Sequence, residues 1–321
     1  MQINLKETAD FLKAHDNYYI LTHQSPDGDT MGSGFGLCYA LRKIGKKANV
    51  ICSDEFPKRY YFMHDSYEPQ KFSPETIVAV DVADTKLLGT KLVQYGSYVD
   101  LCIDHHISNT EYAKQLLVYP DAAAACEVIY RVLAEMEIPL DKLIAECLYT
   151  GIATDTGCFK YANTTRLAHI ITAKLMDYGI NLERINREMF DLKSRARLKV
   201  EQYINSAMEF YLDDQCAMAA VTLDTIKETG LAQEEFEGIS GMSVQIEGIK
   251  VGVIIKEKER GKFKVSMRSA SDVDVSAICR KFDGGGHVKA AGCTLEGELE
   301  DVKLKLLSGI APALGIDLWL A

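Results

Sequence analysis

Seven consecutive residues carry an unusual density of reactive side chains: His23-Gln24-Ser25-Pro26-Asp27-Gly28-Asp29. One imidazole and two carboxylates follow directly on an apolar run, Tyr18-Tyr19-Ile20-Leu21. Pro26 fixes φ and Gly28 frees it, so the stretch reads as a loop. Such a loop can hold a metal ion. It can equally be a polar turn in which Asp29 caps the following helix. Two further apolar runs end in the same chemistry. Ile77-Val78-Ala79-Val80 leads to Asp81, with Asp84 behind it, and 99–103 leads to Asp104-His105-His106. A fourth carboxylate, Asp155, follows an apolar helical stretch and sits among Thr154, Thr156 and Gly157. The negative end of a helix is a poor place for a carboxylate, which favours a functional role.

Carboxylates and imidazoles without thiolates suit manganese or magnesium better than zinc. The donors outnumber the needs of one ion. Two ions about 3.5–4 Å apart would balance the charge, activate a water and clamp phosphate oxygens for in-line attack.

The elements that must position these residues follow from periodicity. Strands are expected over 18–22, 48–52, 76–82 and 99–103. Their near-continuous apolar character marks strands buried on both faces, as in a parallel sheet. Helices are expected over 3–15, 30–44, 84–88, 123–136, 141–153 and 165–178. The alternation predicts a doubly wound α/β domain, in which ligands bind beyond the carboxyl ends of the strands. Gly32, Ser33, Gly34 and Gly36 permit close approach, either to a ligand or in helix packing. Residues 181–211 read as a charged helical connector, with Arg195 and Arg197 on a solvated face or leaning into a cleft. From Cys216 the pattern changes to strands over 217–223, 250–256 and 262–268, with helices over 275–282 and 299–314. The expected division is a catalytic domain over 1–185, a helical linker over 186–212 and a smaller α+β domain over 213–321, with the active site in the cleft between the domains. Tyr60, Tyr61, Phe62 and His64 read as a packed segment near the sheet, Glu127 and Arg131 as a surface pair at i,i+4, and Trp319 as a terminal packing residue.

Composition narrows the class. Among 321 residues, 47% are hydrophobic and 26% charged, as in an ordinary globular chain. No apolar run approaches the roughly 18–20 residues that span a bilayer. The first residues lack the basic start and apolar core of a secretory signal, so a cytoplasmic location is expected. Nine cysteines without a Cys-x-x-Cys pair argue against a disulfide framework or structural zinc. A net charge of -10 disfavours long nucleic acid and leaves room for a short phosphate-bearing substrate held by a local basic grip.

The motif set resembles the DHH phosphoesterase superfamily, whose motifs stand here in order as His23/Asp27/Asp29, Asp81, Asp104-His105-His106 and Asp155. The later part resembles the DHH-associated domain through Ser266-Met267-Arg268-Ser269 and Gly284-Gly285-Gly286-His287 with Ala290-Ala291-Gly292. Length and layout are similar to the bacterial nanoRNase/pAp phosphatase group, itself similar to a stripped-down RecJ nuclease. The resemblance implies that His23, Asp27 and Asp81 hold one manganese, and that Asp29, Asp81, His105 and Asp155 hold the second. His106 would contact the scissile phosphate or act as acid for the leaving oxygen, while Asp104 orients a neighbouring histidine. Arg268, Ser266, Gly284, Gly285, Gly286 and His287 would bind substrate, since consecutive glycines aim N–H groups at anions. A tight turn capping the preceding helix is the structural alternative for the glycines.

The implied activity is metal-dependent hydrolysis of short oligoribonucleotides and of pAp. The alternatives are a phosphodiesterase for cyclic or linear dinucleotides such as c-di-AMP or pApA, a pyrophosphatase or polyphosphatase, and a non-catalytic nucleotide-binding protein. A homodimer is plausible by resemblance.

Overall fold

The computed structural model describes residues 1–236 and 238–317; Trp319 lies outside them. The chain forms two compact units, Met1–Leu192 and Lys193–Ala321.

The first unit is built on five strands, β1 (Tyr18–Leu21), β2 (Ala48–Ile51), β3 (Thr76–Val80), β4 (Leu101–Asp104) and β5 (Gln115–Val118). They run parallel in the order β2-β1-β3-β4-β5. Alternate residues feed two cores. Tyr18, Ile20, Val78, Val80, Leu101 and Ile103 pack on the helical face. Leu21, Ile77, Ala79 and Cys102 pack on the other, against Leu88, Leu92 and Val99. Burial on both faces is why these runs read as continuously apolar. The helices are α1 (Leu5–Ala14), α2 (Gly28–Lys43), α3 (Tyr61–His64), α4 (Ala125–Glu135), α5 (Lys142–Asp155), α6 (Arg166–Met176) and α7 (Leu182–Asn186). The short strand β5 was not expected, and 84–88 is a tight 3-10 turn at Thr85–Leu88 rather than an α-helix.

The glycines of α2 serve packing on both sides. A Cβ on Gly32 would lie 2.3 Å from the Cys147 carbonyl oxygen of α5, and one on Gly34 would lie 2.8 Å from Thr22 beside the sheet. His64 stacks on Phe35 with ring centroids 5.8 Å apart. Glu127 and Arg131 do not form a surface pair. Glu127 is buried and accepts from the Ala123 N–H, while the Arg131 guanidinium lies over the Tyr119 ring. The start of α4 faces the protein interior, so the i,i+4 spacing does not bring the two to solvent.

The second unit begins with α8 (Arg195–Ser206), separated from α7 by a π-turn at Arg187–Asp191, so the charged stretch is not one continuous helix. Arg197 pairs with Glu201 and donates to the Glu235 carbonyl. Strands β6 (Glu209–Tyr211), β7 (Cys216–Val221), β8 (Val251–Glu259), β9 (Lys262–Ser269), β10 (Gly285–His287) and β11 (Ala290–Glu296) form one mixed sheet, in the order β10-β11-β9-β8-β7-β6. Helices α10 (Val275–Arg280) and α11 (Leu299–Leu314) cover one face, where Val253, Ile255, Val265 and Met267 are buried. Helix α8 covers part of the opposite face, and α9 (Leu223–Thr229) follows β7. No described helix is long and apolar enough to cross a membrane.

Candidate metal centre

The strand order reverses between β2-β1 and β3-β4-β5, which makes the β1–β3 junction a topological switch point. His23 follows β1 and Asp81 follows β3, so the two flank that point. Asp104 ends the adjacent β4, and His105 and His106 continue from it. Asp27 caps α2, accepting from the Asp29 and Thr30 N–H groups at 3.0 and 3.1 Å. The helix therefore starts at Gly28, and the cap is Asp27 rather than Asp29.

Asp29 points the other way. Its carboxylate accepts from the N–H groups of Ala125 and Cys126, at 2.6 and 2.9 Å, which open α4. The residue at the cap of α4, Ala124, offers no side-chain acceptor. Helix N-termini leave N–H groups unpaired, so a carboxylate from α2 completes α4. Asp155 is the last residue of α5. Asp81 is held at φ 58°, a left-handed conformation costing about 1–2 kcal/mol for an L-residue.

The structure brings seven of these side chains together in overlapping sets: His23, Asp27 and Asp81; Asp29, His105 and Asp155; and Asp81, His105 and His106. His23 Nε2 lies 3.7 Å from both Asp27 Oδ1 and Asp81 Oδ2. His105 Nε2 lies 3.7 Å from Asp29 Oδ2, 3.6 Å from Asp81 Oδ1 and 3.7 Å from Asp155 Oδ2. Asp81 thus turns Oδ2 to His23 and Oδ1 to His105 and His106.

These separations are too long for hydrogen bonds. They match donor atoms sharing one cation, since two ligands each about 2.1 Å from an ion sit about 3.0–3.7 Å apart. Asp81 Oδ1 is buried and has no hydrogen-bond partner, which is costly unless a cation meets it. Among the described residues no Lys or Arg pairs with Asp27, Asp29, Asp81 or Asp155. The donor set and the orphaned oxygen therefore fit divalent cations.

Histidine tautomers follow from fixed acceptors. His23 Nδ1 sits 2.8 Å from the Gln24 carbonyl oxygen, and His105 Nδ1 sits 3.2 Å from that of Ala122. A carbonyl can only accept, so each Nδ1 carries the proton and each Nε2 is left to face the carboxylates. His106 Nδ1 lies 2.8 Å from Asp104 Oδ1. That nitrogen is hydrogen-bonded to Asp104, although it also lies 3.6 Å from Asp81 Oδ1.

Electrostatics report the same imbalance. Burial and the neighbouring carboxylates raise Asp29 and Asp81 above the ordinary range. Burial and the charge of Asp29 push Asp155 up to about 7. Burial opposes charging of His23, but contact with Asp27 and the charges of Asp27 and Asp81 outweigh it and raise the imidazole to about 9. Asp104 behaves differently: burial would raise it, yet hydrogen bonds from His106 and Asn109 hold it below the usual value.

Several supporting groups escaped sequence reasoning. Asn109 donates to Asp104 Oδ2 at 2.6 Å, and the carbonyls of Gln24 and Ala122 anchor two histidines. The signal for α4 was legible: a run of alanines at 122–125 offers a helix start no cap of its own. A small cavity of about 190 Å³ beside Asp27 and Asp155 is lined by Arg59 and Tyr60.

Arg268, Ser266, Gly284, Gly285, Gly286 and His287 all belong to the second unit. Arg268 and Ser266 are on β9, where Gly292 and Ala290 of β11 oppose them. Gly285–His287 form an edge strand paired to Ala290–Gly292, where sequence left a tight turn open. The Gly284 N–H is taken by the Cys279 carbonyl at 3.0 Å, closing α10.

Comparison with known proteins agrees with this geometry. Residues 17–152 match the DHH family N-terminal domain, and residues 213–310 match the DHHA1 domain. The chain is 33% identical over 313 residues to the bifunctional oligoribonuclease and PAP phosphatase NrnA of Thermus thermophilus, covering 95% of this chain and 93% of that protein. A solved exopolyphosphatase-related protein from Bacteroides fragilis shares the fold with a TM-score of 0.83 at 24% identity, over 97% of this chain and 95% of that one. The crystal structure of exonuclease RecJ bound to manganese is a more distant fold neighbour, with a TM-score of 0.52 at 14% identity over 98% and 95% of the two chains. With carboxylates and imidazoles gathered at the switch point of its parallel sheet and a DHHA1 domain following in the sequence, this chain belongs to the DHH phosphoesterase family.

Proposed function

We propose that this protein is a phosphoesterase that uses two divalent cations, best suited to manganese, to hydrolyse short oligoribonucleotides to mononucleotides and pAp to AMP. The observation that carries the reading is Asp81, whose Oδ2 faces His23 while its buried Oδ1, without a hydrogen-bond partner, faces His105 and His106. The name of the Thermus thermophilus relative supports the substrate class.

His23, Asp27 and Asp81 would hold one cation, and Asp29, Asp81, His105 and Asp155 the other. Cations bound there would neutralise phosphate oxygens and acidify a water. The chain's own residues do the rest. With cations bound, His23 and His105 would offer Nε2 as the ligand atom, since each Nδ1–H is hydrogen-bonded to a carbonyl. His106, whose hydrogen bond with Asp104 raises its proton affinity against the effect of burial, keeps its Nε2 free. It can carry a proton there and give it to the leaving oxygen. Arg268, Ser266, the glycines at 284–286 and His287 would bind the far part of the substrate.

The test is a substrate panel on protein stripped with chelator and reloaded with manganese or magnesium. Release of AMP from pAp and of mononucleotides from three- to five-residue RNA is expected, with manganese the better ion. No hydrolysis of either substrate with either ion would overturn the proposal. Faster turnover of c-di-AMP or pApA than of both would reassign the substrate.

A further inference from the structure

All nine cysteines of the chain are free thiols, and two of them meet. Cys279 lies in the last turn of α10, and Cys293 lies in β11, against which α10 packs. Alternation along β11 turns Ala291 and Cys293 to the helical face of the sheet, where both join the core that holds Cys279. Gly284 bridges the two. Its N–H donates to the Cys279 carbonyl oxygen at 3.0 Å, and a Cβ on it would fall 2.5 Å from Cys293 Cβ. So close an approach needs a residue without a side chain. Across this contact the Cys279 thiol hydrogen-bonds to the Cys293 sulfur.

The two sulfurs are not equivalent. Cys279 is fully buried, whereas Cys293 is 7% exposed and lines a cavity of about 660 Å³ with Phe282, Gly284, Gly285 and Gly292. Three glycines leave that wall without side chains, so a small solute can reach Cys293. Burial pushes the thiols of Cys38, Cys102 and Cys216 up to about 12 and raises Cys126 and Cys147 as well. Cys293 departs the other way, because the hydrogen bond from Cys279 lowers it against the effect of burial. The thiolate is the nucleophile in sulfur chemistry. Cys293 is therefore placed to react first, and Cys279 to keep its proton until it is needed.

We propose that Cys279 and Cys293 form a reversible redox site, in which a peroxide oxidises Cys293 and Cys279 then closes a disulfide between α10 and β11. The Cys293 thiolate attacks one peroxide oxygen. An S–O bond forms, the O–O bond breaks and hydroxide leaves, so sulfur is oxidised and the peroxide reduced. The Cys279 sulfur then attacks the sulfenic acid. The S–S bond forms, the S–O bond breaks, and the departing hydroxide takes the Cys279 proton as water. A dithiol reductant returns both thiols. The disulfide would close a loop over 279–293 that contains the edge strand β10. That strand is held by β11 on one side and by α10 on the other, where Ser276 Oγ donates to the Gly286 carbonyl at 2.9 Å and the Val275 N–H to the Val288 carbonyl at 3.0 Å. Linking its two supports stiffens a glycine-rich strand that is otherwise free to move. Redox state is thereby read out at Gly285–His287, whatever substrate the protein cleaves.

The test uses the full chain, reduced, desalted and exposed to hydrogen peroxide. Remaining thiols are alkylated before unfolding, and the digest is mapped without reductant. A linked pair of peptides carrying Cys279 and Cys293 is expected, lighter by two hydrogens than the separate thiol peptides and lost on treatment with dithiothreitol. Cys293 should be consumed about tenfold faster than the buried Cys216. In Cys279→Ser, Cys293 should stop at the sulfenic acid and take up dimedone; in Cys293→Ser, Cys279 should stay a thiol. Hydrogen exchange at the Gly285–His287 amides should slow about tenfold in the oxidised chain. Cys293 remaining a thiol after the partly exposed Cys52 and Cys158 are oxidised would overturn the site, as would a disulfide from Cys293 to any other residue. A Cys279–Cys293 disulfide that leaves exchange at Gly285–His287 unchanged would overturn the coupling to the strand. The wild-type map needs no substitution, so it decides even where a serine variant fails to fold. Neither readout needs turnover: a chain that hydrolyses nothing yet forms the disulfide upholds the site while the proposed function fails.

Discussion

His106 Nδ1 donates a 2.8 Å hydrogen bond to Oδ1 of Asp104, a carboxylate with no solvent exposure. The same oxygen accepts the His105 N–H, and Asn109 holds Oδ2. Asp104 is thus saturated, with His106 and Asn109 as its side-chain partners. Replacing Asp104 with Asn removes the charge that keeps the proton on Nδ1 and holds Nε2 free. Asp104→Asn is expected to lower kcat on the order of 10²-fold or more, since orienting groups of this kind cost that much in other enzymes. Manganese affinity, read by titration calorimetry, should change little. Wild-type turnover in this variant would show that His106 is not a proton carrier.

Asp81 and Asp27 should separate by metal count. Asp81 faces both His23 and His105, whereas Asp27 faces His23 alone. Asp81→Asn is expected to lose both cations and on the order of 10³-fold in activity, the several kcal/mol that metal ions supply to phosphoester chemistry. Asp27→Asn should keep one cation and a measurable residue of activity. Bound manganese per chain after gel filtration reads the difference directly. Equal stoichiometry in the two variants would remove Asp81 from its shared position.

Much of this arrangement was legible in the sequence because parallel strands buried on both faces leave long apolar runs, and each run here ends in its site residues. His23, Asp81 and the Asp104–His106 triplet could be placed from that pattern alone. The short strand β5 could not: Gln115–Val118 is too brief for a periodic signal and is defined by pairing with β4. The edge strand Gly285–His287 was hidden for a similar reason, since glycines carry no face to alternate. Glu127 shows a different limit. Its spacing from Arg131 suits a surface pair, but the helix start that bears it is turned inward by the need of Asp29 for N–H donors. Tertiary demand, not local pattern, decided those places.

Acid–base behaviour without metal follows from the same charge surplus. Asp155 is raised from 3.8 to about 7, and Asp29 and Asp81 are raised as well. A carboxyl whose folded pKa lies above its unfolded one binds protons better when folded, so stability falls as pH rises from the unfolded value to the folded one. His23, raised from 6.5 to about 9, contributes stability that is full below 6.5 and lost as pH rises through about 9. Both signs agree. The Tm of chelator-treated protein should fall steadily from about pH 5 to pH 9. Manganese should restore it, and most strongly at the alkaline end, where protons no longer compete for the carboxylates. A metal-free Tm that rises over this range would contradict the charge surplus.

Gly151 makes the last link between packing and chemistry. A Cβ there would fall 2.2 Å from Cys126 Sγ and 2.7 Å from Asp29 Oδ1. Gly32, on the facing helix, would meet the Cys147 backbone oxygen at 2.3 Å. Both positions hold α2 against α5, but only Gly151 abuts a carboxylate of the proposed cation site. Overpacking of this kind costs about 1–3 kcal/mol, so both Gly32→Ala and Gly151→Ala should lower the urea midpoint. They should part in function. Gly32→Ala is expected to keep its manganese affinity per folded molecule, because the Cys147 backbone and the Cys126 sulfur rather than a carboxylate must yield. Gly151→Ala must push Asp29 off the α4 N–H groups or Cys126 out of the core, and either shift moves the carboxylate that faces His105. Weaker manganese binding in Gly151→Ala alone, at matched loss of stability, is the expected result. Equal metal affinity in the two variants would mean that Asp29 does not depend on the α2–α5 contact for its place.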